Sequence, residues 1–122
     1  MRVREFHRVK EHGRSFPGRL LVLGVLVNAE PDPPASSRFG LVTSRRVGGA
    51  VVRNTVRRHL REAIRHQRAF VQPGLWIVVV ARHSAARATG VELAREWLKL
   101  ARRAGILVPA ARENSARPPG PP

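Results

Sequence analysis

RFGLVTSRRVGGAVVRNTVRRHLREAIRHQRAF, residues 38–70, changes its hydrophobic period once, at a glycine pair. Over residues 38–44, Phe39, Leu41 and in part Thr43 alternate with Arg38, Gly40 and Val42, the period-two pattern of a strand with unlike faces. Gly48 and Gly49 break that strand, and the period becomes 3.6. At 100° per residue Val52, Val56, Leu60, Ala63 and Ile64 share one face, which predicts a helix over 51–68, closing near Phe70 before the turn at Pro73 and Gly74. Arg53, Arg57, Arg61, Arg65 and Arg68 line the neighbouring face, within about 120° of arc, and Asn54 and Arg58 extend it.

Upstream, Val3, Phe6 and Val9 recur at helical spacing among charges over 3–12, and Gly13 follows as a stop. Phe6 is expected to face the fold. Residues 20–27 form an apolar run rich in Leu and Val, predicting a central strand, and residues 28–37, with three prolines and two serines, predict a surface loop. Downstream, residues 75–81 predict an all-apolar strand. Residues 89–104 predict an amphipathic helix with Leu93, Trp97, Leu100 and Ala104 inward and Gly105 as its cap. The order helix, strand, strand, helix, strand, helix argues for an α+β fold, an α/β sandwich of helices packed on one small mixed sheet. One domain is expected over residues 1–107. The tail, 108–122, has five prolines in its last fourteen residues and almost no bulky apolar side chain, so disorder is expected there.

The chain has 122 residues, with 23 basic against 8 acidic and a formal charge of +15. Only Lys10 and Lys99 are lysines; the rest of the positive charge is arginine, whose planar fork matches phosphate and stacks on bases. A polyanion partner follows, with nucleic acid ahead of an acidic membrane. The apolar run at 20–27 is too short to span a bilayer, and the segment before it, with Glu5, Glu11 and Pro17, is unlike a secretory signal, so no membrane association is expected. The absence of cysteine excludes disulfides and thiolate metal sites and is compatible with a cytoplasmic location.

Catalytic chemistry is poorly represented. His7, His12, His59, His66 and His83 show no spacing with carboxylates suited to a metal, and the dispersed acids, mostly beside arginines, read as exposed ion pairs rather than as an acid–base couple. The arginine helix stands apart. A solvated helix ordinarily mixes charge signs at i, i+4, whereas Arg53, Arg57, Arg61 and Arg65 repeat like charges with Glu62 alone among them. Each like pair costs a few tenths of a kcal/mol unless a polyanion neutralises it. A structural RNA-binding protein, a DNA-binding regulator and an RNA-processing subunit all share this charge pattern.

The segment Arg46-Val47-Gly48-Gly49-Ala50-Val51-Val52-Arg53-Asn54-Thr55-Val56-Arg57-Arg58-His59-Leu60-Arg61-Glu62 resembles the signature of the bacterial ribonuclease P protein family. That pattern is a basic residue, x, Gly, x, Ala-Val, x, Arg-Asn, two variable residues, two basic residues, two variable residues, then Arg followed by Glu or Gln. Every fixed position is matched over seventeen residues, and a looser resemblance runs from about Arg4 to Gly105. The resemblance implies a fold like ribosomal protein S5 domain 2, with a left-handed strand-helix-strand crossover. It also implies a non-catalytic protein subunit, monomeric and one copy per RNA, that binds a catalytic RNA and the 5′ leader of precursor tRNA. The RNA, with Mg²⁺ bound mainly by it, then removes the leader by endonucleolytic cleavage.

By residue matching, RNA contacts fall to Arg46, Arg53, Asn54, Arg57, Arg58 and Arg61, with Arg45 and Arg65 alongside. Leader contacts fall to Phe6, with Lys10 contributing charge; Phe6 reads equally as a core anchor for the first helix. Lys10, Leu21 and Gly24 stand where relatives commonly carry aromatic residues.

Overall fold

The computed structural model describes residues 2–27 and 37–108. The chain runs α1 (Val3–His12), β1 (Arg14–Pro17), β2 (Leu21–Val27), β3 (Arg38–Thr43), α2 (Ala50–Gln67), β4 (Leu75–Ala81) and α3 (Gly90–Ala104), with 3₁₀ turns at Arg68–Phe70 and His83–Arg87. The expected loop and tail lie outside the described residues, except at their ends. Ser37 precedes β3 directly, and the Val108 N–H donates to the Phe70 carbonyl at 2.7 Å, so the described fold takes in the first residue assigned to the tail.

The strands form one mixed sheet in the order β1-β2-β4-β3. β2 and β4 pair antiparallel, Leu21 opposite Ala81 and Val27 opposite Leu75, while β3 lies parallel to β4 with Arg38 opposite Trp76 and Thr43 opposite Ala81. The expected α+β class and the central place of β2 hold. β1 was not expected from the sequence. Its four residues pair antiparallel with β2, Arg14 opposite Val25 to Pro17 opposite Val22, and an edge position tolerates the terminal proline that lacks a ladder donor. Gly13 leaves α1 in an extended conformation and is required for space: a Cβ there would sit 2.5 Å from the Val9 carbonyl and 2.6 Å from that of Val25. The chain can therefore turn from α1 directly into β1.

Period two divides β4 between two cores. Ile77 and Val79 face α2 and α3 in a cluster that includes Leu21, Leu23, Leu60, Leu93, Trp97 and Leu100, while Trp76 and Val78 face Val9 of α1 on the opposite side. The α2 stripe is placed as its period demands, with Val56, Leu60, Ala63 and Ile64 buried. In α3, Ala101 is buried with Leu93, Trp97 and Leu100, whereas Ala104 is half-buried. Gly105 caps α3 in the left-handed region, at φ 70°.

Several acids serve the backbone instead of forming exposed ion pairs, which corrects the sequence expectation. Glu92 caps α3 reciprocally with Thr89, and the Glu96 carboxylate accepts the N–H groups of Leu20 and Leu21, the latter at 2.8 Å. Glu96→Ala leaves two donors unpaired beside buried leucines and is expected to cost about 2–3 kcal/mol in urea unfolding, with Glu96→Gln retaining part of the stability.

Glu5, almost fully buried, accepts the Arg2 N–H at 2.9 Å and Arg38 Nη1 at 2.8 Å. The Arg2 N–H first, and the Arg38 guanidinium after it, hold its carboxyl below the ordinary value of 4.5 against the opposing effect of burial. Its contribution is therefore complete above that ordinary value and lost as pH falls through the lower folded value. Glu5→Gln should be less stable than the parent chain at pH 7, and the gap should close under acid below about pH 4.5; a gap independent of pH would contradict the pairing.

Candidate nucleic-acid interface

The β3–α2 connection is built to expose cations. Gly48 sits at φ 151°, a conformation that side chains rarely adopt, and Gly49 caps α2 with no side-chain bond to the first turn and no acid within it. Arg45 and Arg46 are exposed in this connection, while Val47, directly after them, is buried and anchors it. Along α2, Asn54, Arg58, Arg61 and Arg65 are exposed and Arg53 and Arg57 are half-buried.

Arg57 is held in place: its Nη2 donates to Thr43 Oγ1 at 2.7 Å and its Nη1 to Asn54 Oδ1 at 3.2 Å. Both acceptors are neutral, so the full positive charge remains available. Arg65 pairs with Glu62, whose carboxyl this bond holds below the usual range. Arg58 and Arg61 form no ion pair among the described residues, and Arg53 Nε is buried without a partner among them.

Beside α2 lies an open cleft of about 520 Å³ along β3, the last strand of the sheet among the described residues. Phe39, Gly40 and Leu41 contribute strand surface, Phe6 reaches it from α1, and Arg57, Arg61, Arg65 and Arg68 line it from α2 and the turn that follows. The Arg68 guanidinium lies 5.3 Å from the Phe39 ring centroid, and Phe39 meets the buried Trp97 edge-on at 6.2 Å. Two aromatic rings and four guanidiniums in one channel suit a single strand of nucleic acid, stacked through bases and neutralised at phosphates.

The family model for Ribonuclease P matches residues 1–105. The chain belongs to the ribonuclease P protein family. Two curated relatives named "Ribonuclease P protein component" illustrate the match. That of Roseiflexus castenholzii is 36% identical over 111 residues, covering 90% of this chain and 88% of the relative, and that of Symbiobacterium thermophilum is 39% identical over 102 residues, covering 84% and 86%. Among solved structures, the ribonuclease P protein of Thermotoga maritima superposes with a TM-score of 0.73 at 27% identity, covering 84% of this chain and 94% of that one. The Staphylococcus aureus protein gives 0.79 at 24% identity, covering 88% and 94%, a likeness of fold.

The three positions that stand beside the expected leader contacts, Lys10, Leu21 and Gly24, have separate fates here. Leu21 is fully buried on the α2/α3 side of the sheet, away from Phe6, which packs on the opposite cluster. Gly24 lies under α1: a Cβ there would already be 3.1 Å from Val9 Cγ1, so a ring at this position would require α1 to move. Lys10 is exposed on α1 and is not among the residues lining the cleft, whereas Phe6 is, while also packing beside Val9 and Trp76. Phe6 thus joins its two sequence readings, anchor and cleft wall.

Sequence reasoning did not assign Phe39, Gly40 or Thr43 to the site. Phe39 alternates as a core residue should, and only the edge position of β3 opens it to the cleft.

Proposed function

We propose that this ribonuclease P family member binds the catalytic RNA through Arg45, Arg46 and the arginine face of α2. In the same reading it receives the 5′ leader of precursor tRNA in the cleft beside β3, and so assists removal of the leader by a cytoplasmic ribonucleoprotein. The observation that carries the reading is the seventeen-residue motif folded so that Arg57 and Arg61 face the same channel as Phe6 and Phe39.

The protein contributes binding and no catalytic residue. Guanidiniums neutralise phosphates where two RNAs crowd together, and the half-exposed rings offer stacking that tolerates any base, which suits a subunit serving many leaders. Among the described residues no three His, Asp or Glu converge, and a cleft lined by guanidiniums is a poor host for a divalent cation. In this reading Mg²⁺ is held by the RNA, and one protein copy serves each RNA.

Titrating the protein with ribonuclease P RNA at increasing salt tests the interface. Six arginines on phosphates give a slope of log affinity against log salt between roughly −4 and −5, and a slope near −1 would contradict the arginine face.

A further inference from the structure

A second basic concavity lies on the other flank of α1. It measures about 560 Å³ and is lined by Arg2, Arg4, Arg8, Arg38, Glu5 and Trp76. Trp76 belongs to the cluster on the α1 side of the sheet, whereas the apolar stripe of α2 belongs to the opposite side. On the α1 wheel, Arg4 and Arg8 fall on the flank away from Phe6, so α1 separates this concavity from the cleft beside β3.

We propose that this concavity is a second binding site for RNA phosphates, so that the protein is gripped from both faces of its sheet. The inference rests on the RNA-binding reading above and extends it to residues outside the motif. Four guanidiniums meet one carboxylate there, leaving an excess of three positive charges, and Glu5 is already engaged by the Arg2 N–H and by Arg38. Arg2, Arg4 and Arg8 form no ion pair among the described residues, and Arg4 and Arg8 repeat a like charge at i, i+4.

Trp76 turns this charge into a shaped site. The Arg8 guanidinium carbon lies 5.2 Å and that of Arg38 5.9 Å from its ring centroid, so two forks are steadied on one buried indole before any ligand arrives. An oriented fork loses less side-chain freedom on binding a phosphate than a free one. The ligand chemistry is the phosphodiester backbone, supplied by the catalytic RNA or by the precursor tRNA.

The test is a double variant, Arg4→Ala with Arg8→Ala, beside Arg57→Ala with Arg61→Ala as the reference for the known motif. Affinity for ribonuclease P RNA alone is measured first across a salt series, then affinity of the assembled holoenzyme for precursor tRNA, with a thermal melt of each free protein. The site predicts that the α1 variant melts like the parent but loses about tenfold in affinity in one arm, with a salt slope shallower by roughly 1.5 to 2. Loss in the first arm assigns the site to the catalytic RNA, and loss confined to the second assigns it to the substrate. Parental affinity and slope in both arms overturn the site. If the reference variant alone is impaired, the interface on α2 stands and only this inference falls; if neither variant is impaired, the RNA-binding reading falls with it. Arg8→Lys, which keeps charge without the planar stack on Trp76, should fall between the parent and the alanine variant.

Discussion

Arg57→Ala combined with Arg61→Ala should weaken binding to ribonuclease P RNA by roughly 10- to 100-fold at physiological salt, and flatten the salt dependence by about two phosphates' worth. These residues lie one turn apart on α2 and both line the cleft, so their loss removes half of the four guanidiniums there. The effect should be electrostatic. Neither side chain fills the core, and Arg57 gives up only its bonds to Thr43 and Asn54, so stability should fall by about 1 kcal/mol or less. Removing i, i+4 like charge recovers a few tenths of that. A filter-binding titration beside a urea melt separates the two quantities. A large loss of stability with unchanged affinity would make these arginines structural.

The largest expected loss of stability follows Trp97→Ala. Trp97 is 1% exposed, sits in the core between α3 and α2, and supports Phe39 edge-on at the base of the cleft. Truncation of such a side chain costs about 3–5 kcal/mol, a large share of the 5–15 kcal/mol typical of a domain this size. The urea midpoint should fall accordingly. Trp97→Phe should cost far less, because the indole Nε1 is buried without a partner among the described residues and the smaller ring removes that unpaired donor while keeping most of the apolar contact. Since Phe39 leans on Trp97, the alanine variant should also bind RNA more weakly in conditions where it remains folded.

How much of this was legible in the sequence follows from where each signal resides. Helix α2 was readable because its information is periodic and local: Val56, Leu60, Ala63 and Ile64 recur on one face and are buried on one face. The all-apolar run of β4 announced burial on both sides but not which residues meet which helix; that division depends on α1 packing over Trp76 and Val78. β1 was illegible because Phe16 is its only half-buried side chain and its identity as a strand comes from pairing with β2. The cleft was partly legible. Its arginines declare themselves by repetition, but Phe6 and Phe39 stand more than thirty residues apart and are brought together only by the edge placement of β3. The acids misled for a related reason: a carboxylate beside arginines in sequence looks like an ion pair, while Glu96 reaches the N–H groups of Leu20 and Leu21, more than seventy residues away.

The most direct measurement is the rate at which a bacterial ribonuclease P RNA cleaves a precursor tRNA at low, near-physiological Mg²⁺, with this protein present, absent, or carrying Arg57→Ala and Arg61→Ala. A strong rate increase with the parent protein, most of it lost in the variant, and no cleavage by protein alone is the predicted result. A rate that the parent protein leaves unchanged with a cognate RNA, or cleavage by the protein without RNA, would contradict the assignment of the chain as a binding subunit.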